Sequence, residues 1–185
     1  MFLSVMQSIR EKYKEAVPKI MKEFGFKSPM AVPRVLKVVV NVGTGKMRDK
    51  KEAVESVEKY LTQIAGQKVS PRPAKKAVAS FKSREGMIVG YKATLRGDRM
   101  WDFLNRLVRL AIPRIRDFRG ISLKSIDRGG NLTLGIREHI VFPEMIGEDV
   151  RNIFGLEVTI VTNAKGRDEA IELFRLLGFP LQKTI

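Results

Sequence analysis

Apolar positions along this chain change their spacing several times, and each change marks an element. Residues 7–24 carry Ile9, Tyr13, Val17, Ile20 and Phe24 at helical intervals with Gly25 as a stop, which predicts a first helix. Pro18 is expected to kink it. After the stretch around Pro29 and Pro33 the period falls to two, and Val35 to Val42 reads as a strand. A second helix is expected from about Asp49, whose carboxylate can cap it with Glu52 three residues on. Val54, Val57, Leu61 and Ile64 would form its buried stripe, and Gly66 suits a left-handed ending.

A strand-like stretch at 78–82 turns at Ser83-Arg84-Glu85-Gly86 into a long strand, Met87 to Arg96. Asp98 is placed to cap a third helix bearing Trp101, Leu104, Val108 and Ala111 and ended by Pro113. Leu132 to Phe142 and Leu156 to Thr162 read as strands, and Asp168 to Leu177 as a closing helix with Gly178 as its stop. No repeat, low-complexity tract or Gly/Ser linker interrupts the pattern, so residues 1–185 read as a single domain. The order β-α-β-β-α-β-β-α after the first helix predicts an α+β fold. Its mainly antiparallel sheet would carry helices on one face and leave the other face free.

Alternation within the strands says what that free face carries. In Met87 to Arg96 the apolar residues Met87, Val89, Tyr91, Ala93 and Leu95 share one side, and Lys92, Thr94 and Arg96 the other. In Val35 to Gly43, Leu36, Val38, Val40 and Val42 form an apolar face, and Lys37 and Asn41 project from the opposite one. Adjacent strands would thus present donors and positive charge together, the groups that phosphate oxygens and exposed base edges require.

Charge strengthens this reading. The chain has 35 Lys+Arg against 20 Asp+Glu, a net charge of +15. Residues 1–137 hold 30 basic and 12 acidic side chains, whereas residues 138–185 hold 5 and 8. That split suggests a polyanion on one side and a basic partner on the other. Pro71 to Arg84 has five basic residues and no acidic one, and its two prolines predict a projecting loop. On the third helix, Arg99, Asp102, Arg106 and Arg109 read as a solvated face; Arg114 to Gly120 is a further basic contact candidate.

Other chemistry is largely excluded. Without Cys there is no disulfide, thiolate metal site or cysteine nucleophile, and one His cannot form a paired-imidazole site. Gly43-Thr44-Gly45-Lys46 lacks the P-loop spacing, because Val40 stands five residues before Gly45 and Met47 replaces the hydroxyl residue. The dinucleotide fingerprint fails at Arg48. His139, read here on a strand, has no partner pattern and is taken as structural. No cofactor, metal or catalytic residue is expected. The N-terminus lacks a signal-peptide pattern and no run approaches the roughly 18 apolar residues of a membrane span. A cytoplasmic protein with no membrane partner is therefore expected.

Gly66-Gln67-Lys68, Ala74-Lys75-Lys76-Ala77, Phe81-Lys82 and Arg84-Glu85-Gly86-Met87 follow one another in the order of a known family. So do Thr94-Leu95-Arg96-Gly97, Pro113 to Gly120, Asn131, Leu134-Gly135-Ile136, Phe142-Pro143-Glu144 and Leu176 to Pro180. Over nearly its whole length the chain resembles the bacterial ribosomal protein L-five family, the large-subunit proteins that bind 5S rRNA. It departs from the family pattern at Ile88, where Pro is usual, and at Asp127-Arg128-Gly129-Gly130-Asn131. The resemblance implies a structural constituent of the large subunit that helps attach 5S rRNA in the central protuberance, beside large-subunit rRNA. By motif, it places 5S rRNA contacts on Lys37, Asn41, Gln67, Thr94 and Arg96. It implies that the basic 71–84 loop, through Lys75, Lys76, Lys82 and Arg84, contacts P-site tRNA. It further implies a bridge to small-subunit protein S-thirteen, for which the acidic C-terminal third, with Glu144, Glu148 and Asp149, is the expected surface. The competing readings are a free-standing RNA-binding protein or RNA chaperone and, behind it, an RNA-modifying enzyme.

Overall fold

In β1 (Val35–Gly43) the alternation of valines with polar residues commits one face to burial: Val38, Val40 and Val42 are inaccessible to water. A computed structural model describes residues 7–45, 47, 50–79, 83–148 and 152–182. In it, β1 is the central strand of a five-stranded antiparallel sheet of order β2-β3-β1-β5-β4, with β2 Ser70–Pro73, β3 Ile88–Leu95, β4 Leu132–Ile136 and β5 Leu156–Thr162. The helices are α1 (Ile9–Phe24), α2 (Lys51–Ala65), α3 (Gly97–Arg106) and α4 (Arg167–Leu177). The α+β class expected from the element order is the fold observed.

Local chemistry sets the helix ends. Ser8 and Glu11 form a reciprocal capping box at the start of α1, and Gly25, Gly66 and Gly178 close α1, α2 and α4 in the left-handed conformation that glycine adopts without penalty. Pro18 lies within α1 without ending it. Ile9 and Ile20 of α1, Val57, Leu61 and Ile64 of α2, Phe103 and Leu104 of α3 and Phe174 of α4 join the sheet's buried face in one hydrophobic cluster.

Several sequence expectations need correction. Asp49 lies outside the described residues, and the N-cap of α2 is Lys50, which makes no side-chain capping bond. Asp98 sits inside the first turn of α3, where it pairs with Arg10 at 2.8 Å; Arg96 occupies the cap position. Val54 and Trp101 are only partly buried beside the core. The strand expected at 132–142 stops at Ile136, and His139 lies in a short 3-10 turn, His139–Val141.

The strand that pairs with β3 is Ser70–Pro73, not 78–82, of which only Val78 and Ala79 are described. It contains both prolines of the segment expected to project as a loop. An edge position resolves the conflict, since a proline's missing N–H costs nothing where that side of the strand faces solvent. The basic segment is therefore a hairpin rooted in the sheet, closed by Ala74 N–H to the Met87 carbonyl (2.8 Å) and by paired bonds between Val78 and Ser83.

Candidate nucleic-acid interface

The non-core face of the sheet is built from residues of one parity on each strand. Register aligns Ser70, Lys92, Asn41, Glu157 and Gly135 in one row across five strands, and Thr94, Val39, Thr159 and Thr133 in the next. Lys37 pairs with Val161, and Arg96 follows directly on Leu95, the partner of Val38. None of these residues is buried, whereas the alternate positions Val38, Val40, Ala93, Leu95, Val158 and Ile160 are. Leu36, expected among the core residues, is instead 42% exposed. A bulge between Val35 and Lys37 inserts it as an extra residue and returns Val35 to the core.

Four of the five candidate 5S rRNA residues, Lys37, Asn41, Thr94 and Arg96, thus fall on one surface. Gln67 joins them through the turn after α2, its Nε2 donating to the Thr94 carbonyl at 3.1 Å. That bond spans 27 positions in sequence and is invisible to strand alternation. Of the hairpin residues, Lys75, Lys76 and Arg84 are exposed, while Lys82 lies outside the described residues. The β4–β5 half of the face, with Thr133, Gly135, Glu157 and Thr159, is not singled out by the sequence reading. Its signal is nonetheless present in the alternation of Leu156 to Thr162.

Beyond the outer edge of the sheet, Arg116, Asp117, Phe118 and Arg119 line a cleft of about 590 Å³ facing Gly135, Ile136 and Arg137. Asp117 adopts φ 52°, a left-handed conformation that is uncommon outside glycine and tolerated best by Asn and Asp. The third-helix arginines do not form one solvated face: Arg106 is part-buried, pairs with Glu144 and lies 5.9 Å over the Phe103 ring. Glu148 pairs with Lys59 at 3.2 Å and accepts from Gln63 at 3.3 Å. These bonds hold its carboxyl below the usual carboxylate range. Asp149 lies outside the described residues. Two of the three acidic residues expected to face a basic partner are therefore engaged by this chain's own cations and amide.

Thr44, of the Gly-Thr-Gly-Lys turn, and His139 have structural roles. Thr44 follows β1 directly, its N–H donating to the Val89 carbonyl at 2.9 Å. His139 is fully buried and stacks on Phe154 at 3.9 Å between ring centroids and on Tyr60 at 5.5 Å. Its Nδ1 accepts from the Phe154 N–H at 3.3 Å, and burial lowers its pKa. Among the described residues no group of three or more His, Asp or Glu is placed to hold a metal ion.

The face groups cationic and hydrogen-bonding side chains on one sheet surface, the chemistry that suits a nucleic-acid-associated class of protein. Comparisons with known proteins give that class its family. Residues 28–84 match the family model described as Ribosomal protein L5, and residues 88–181 match the model of the same ribosomal family's C-terminus. The Large ribosomal subunit protein uL5 of Halothermothrix orenii is 51% identical over 179 residues, covering 96% of this chain and all of that protein. Its namesake in Chloroflexus aurantiacus is 53% identical over 175 residues, 94% of this chain and 97% of the relative. The one in Dictyoglomus turgidum is 48% identical over 179 residues, again 96% of this chain and all of the relative. The chain belongs to the ribosomal protein L5 family. It is a structural ribosomal protein of the translation machinery and not an enzyme.

Proposed function

We propose that this chain, a protein of the large subunit of cytoplasmic ribosomes, holds 5S rRNA against its open sheet face and helps fix it in the central protuberance beside large-subunit rRNA. The observation that carries this reading is the convergence of Lys37, Asn41, Thr94 and Arg96 on one face, with Gln67 tied to Thr94. These residue types offer phosphate attraction and donors for base and sugar edges, held in register by the paired strands of the sheet. The basic β2–β3 hairpin reaches P-site tRNA, and the acidic C-terminal third bridges to small-subunit protein S-thirteen.

Replacing Lys37, Thr94 and Arg96 with Ala leaves the core face untouched, because none of the three side chains enters the hydrophobic cluster. Affinity for 5S rRNA, measured by filter binding, is expected to fall by about 1–3 kcal/mol for each good polar interaction removed. Unfolding midpoints should stay near those of the parent. A triple variant that folds normally and binds 5S rRNA like the parent places the RNA elsewhere.

A further inference from the structure

The row Lys92, Asn41, Glu157, Gly135 contains a contradiction if this face binds RNA. Glu157 is exposed at its middle, and a carboxylate there repels every phosphate that approaches. Lys92 lies across Asn41 rather than beside Glu157, and among the described residues no ion pair or hydrogen bond engages the Glu157 side chain. Its surroundings are unusual as well. Gly43, Gly135 and Gly155, with Asn41 and Arg137, line a shallow hollow of about 440 Å³ around it. At Gly43 and Gly135 an added Cβ would meet nothing within 4 Å, so packing within the chain does not demand a glycine at either. At Gly155 an added Cβ would stand 3.1 Å from the Ile136 carbonyl oxygen, so the chain itself accounts for that glycine, whereas strand glycines with open space above them suit the close approach of a ligand to the backbone.

We infer that this hollow is a base subsite: an unpaired guanine lies on the glycine floor with its Watson–Crick edge read by Glu157 and Asn41. This rests on the proposal that the open face binds 5S rRNA, and it names the base chemistry that one end of that face selects. Guanine is the base with two adjacent donors, N1–H and N2–H, matching the two acceptor oxygens of a carboxylate. Cytosine and adenine each offer one amino group beside a ring-nitrogen acceptor. Uracil places carbonyl oxygens on both sides of its only donor, facing the carboxylate with like partial charge. Asn41 is the cross-strand partner of Glu157, with Cα atoms of such pairs about 4.5–5.5 Å apart, so its amide N–H can donate to the guanine O6. The exposed Arg137 at the rim is free among the described residues to meet the nucleotide's phosphate. The lone carboxylate then serves selection, since a group that attracts only phosphate cannot distinguish one base from another.

Kethoxal, which reacts at N1 and N2 of unpaired guanines, reads this interaction on the complex of the full chain with 5S rRNA. The parent protein should protect at least one kethoxal-reactive guanine. Glu157→Gln should release that guanine, leave the backbone footprint in place and weaken binding about tenfold or more, the scale of one bidentate base pairing. The direction is decisive, because removing a negative charge that touches no base would tighten binding to a polyanion. Gly135→Leu, which fills the hollow at an exposed strand position, should release the same guanine without lowering the unfolding midpoint. If Glu157→Gln binds as well as or better than the parent with every guanine still protected, the subsite is wrong and the 5S rRNA interface stands. If the parent protects no guanine yet leaves a backbone footprint, the subsite is likewise wrong. If the parent leaves no footprint on 5S rRNA at all, the proposed function itself fails.

Discussion

His139 shows how one residue sets a pH dependence without taking part in binding. Its ring is buried between Phe154 and Tyr60, and its Nδ1 must stay unprotonated to accept the Phe154 N–H. Burial depresses its folded-state pKa below the ordinary 6.5. Above that value the ring is neutral in both folded and unfolded chains and stability does not depend on it. As pH falls below it, the unfolded chain takes up a proton that the folded chain refuses, so stability is lost. With one His and no Cys, the chain has no other side chain whose ordinary pKa lies between about pH 5.5 and 7.5. Urea midpoints should therefore fall across that interval. His139→Phe should be less stable at the upper end, by about 1–3 kcal/mol for the orphaned Phe154 N–H, yet show a flatter profile down to the lower one. An equally steep profile in the variant would assign the titration to another group.

Among the secondary-structure elements, the tightest steric requirement lies between β1 and β3. An added Cβ at Gly90 would stand 2.5 Å from the Val42 carbonyl oxygen, a backbone atom that cannot move aside without breaking the ladder. Gly90→Ala should cost about 1–3 kcal/mol, the usual scale for overpacking. Gly135→Ala, with open space at its Cβ, should leave the thermal midpoint unchanged or raised; equal midpoints for the two variants would show that β3 shifts freely. The central strands are legible in the sequence because alternation over eight or nine residues survives small local errors. Strands β1, β3 and β5 stand where the period of two places them, and with them the shared face of Lys37, Asn41, Thr94 and Arg96. What is not legible depends on partners distant in sequence. The prolines of β2 signal a loop because nothing local shows that the strand lies at an edge, and Leu36 signals core because nothing local shows the bulge. His139 reads as part of a strand because the apolar run after Ile136 continues in composition while the chain turns.

Across the whole molecule the basic and acidic parts do not simply face opposite partners. Arg106 and Lys59, from the basic body, already engage Glu144 and Glu148, so the acidic end partly neutralises its own support. Reversing those carboxylates would break internal pairs, so the proposed bridge to the small subunit is better probed at other residues. The hairpin between β2 and β3 is different. Lys75, Lys76 and Arg84 are exposed, and no ion pair engages them among the described residues. Their attraction for a nucleic acid is directed at phosphate, which makes it independent of sequence and weak at high salt. Among the described residues its base is tied to the sheet through Ala74 and Met87, and Lys75, Lys76 and Arg84 stand exposed, so truncating those three side chains removes charge without removing packing. Changing Lys75, Lys76, Lys82 and Arg84 to Ala should therefore leave the unfolding midpoint and the 5S rRNA complex near those of the parent. On assembled ribosomes P-site tRNA should dissociate faster from the variant, and the difference should shrink as salt is raised. Equal tRNA lifetimes at every salt concentration would make the hairpin a solvated charge cluster without a partner. Loss of 5S rRNA binding would instead place the hairpin inside the primary RNA interface and extend that interface past the edge of the sheet.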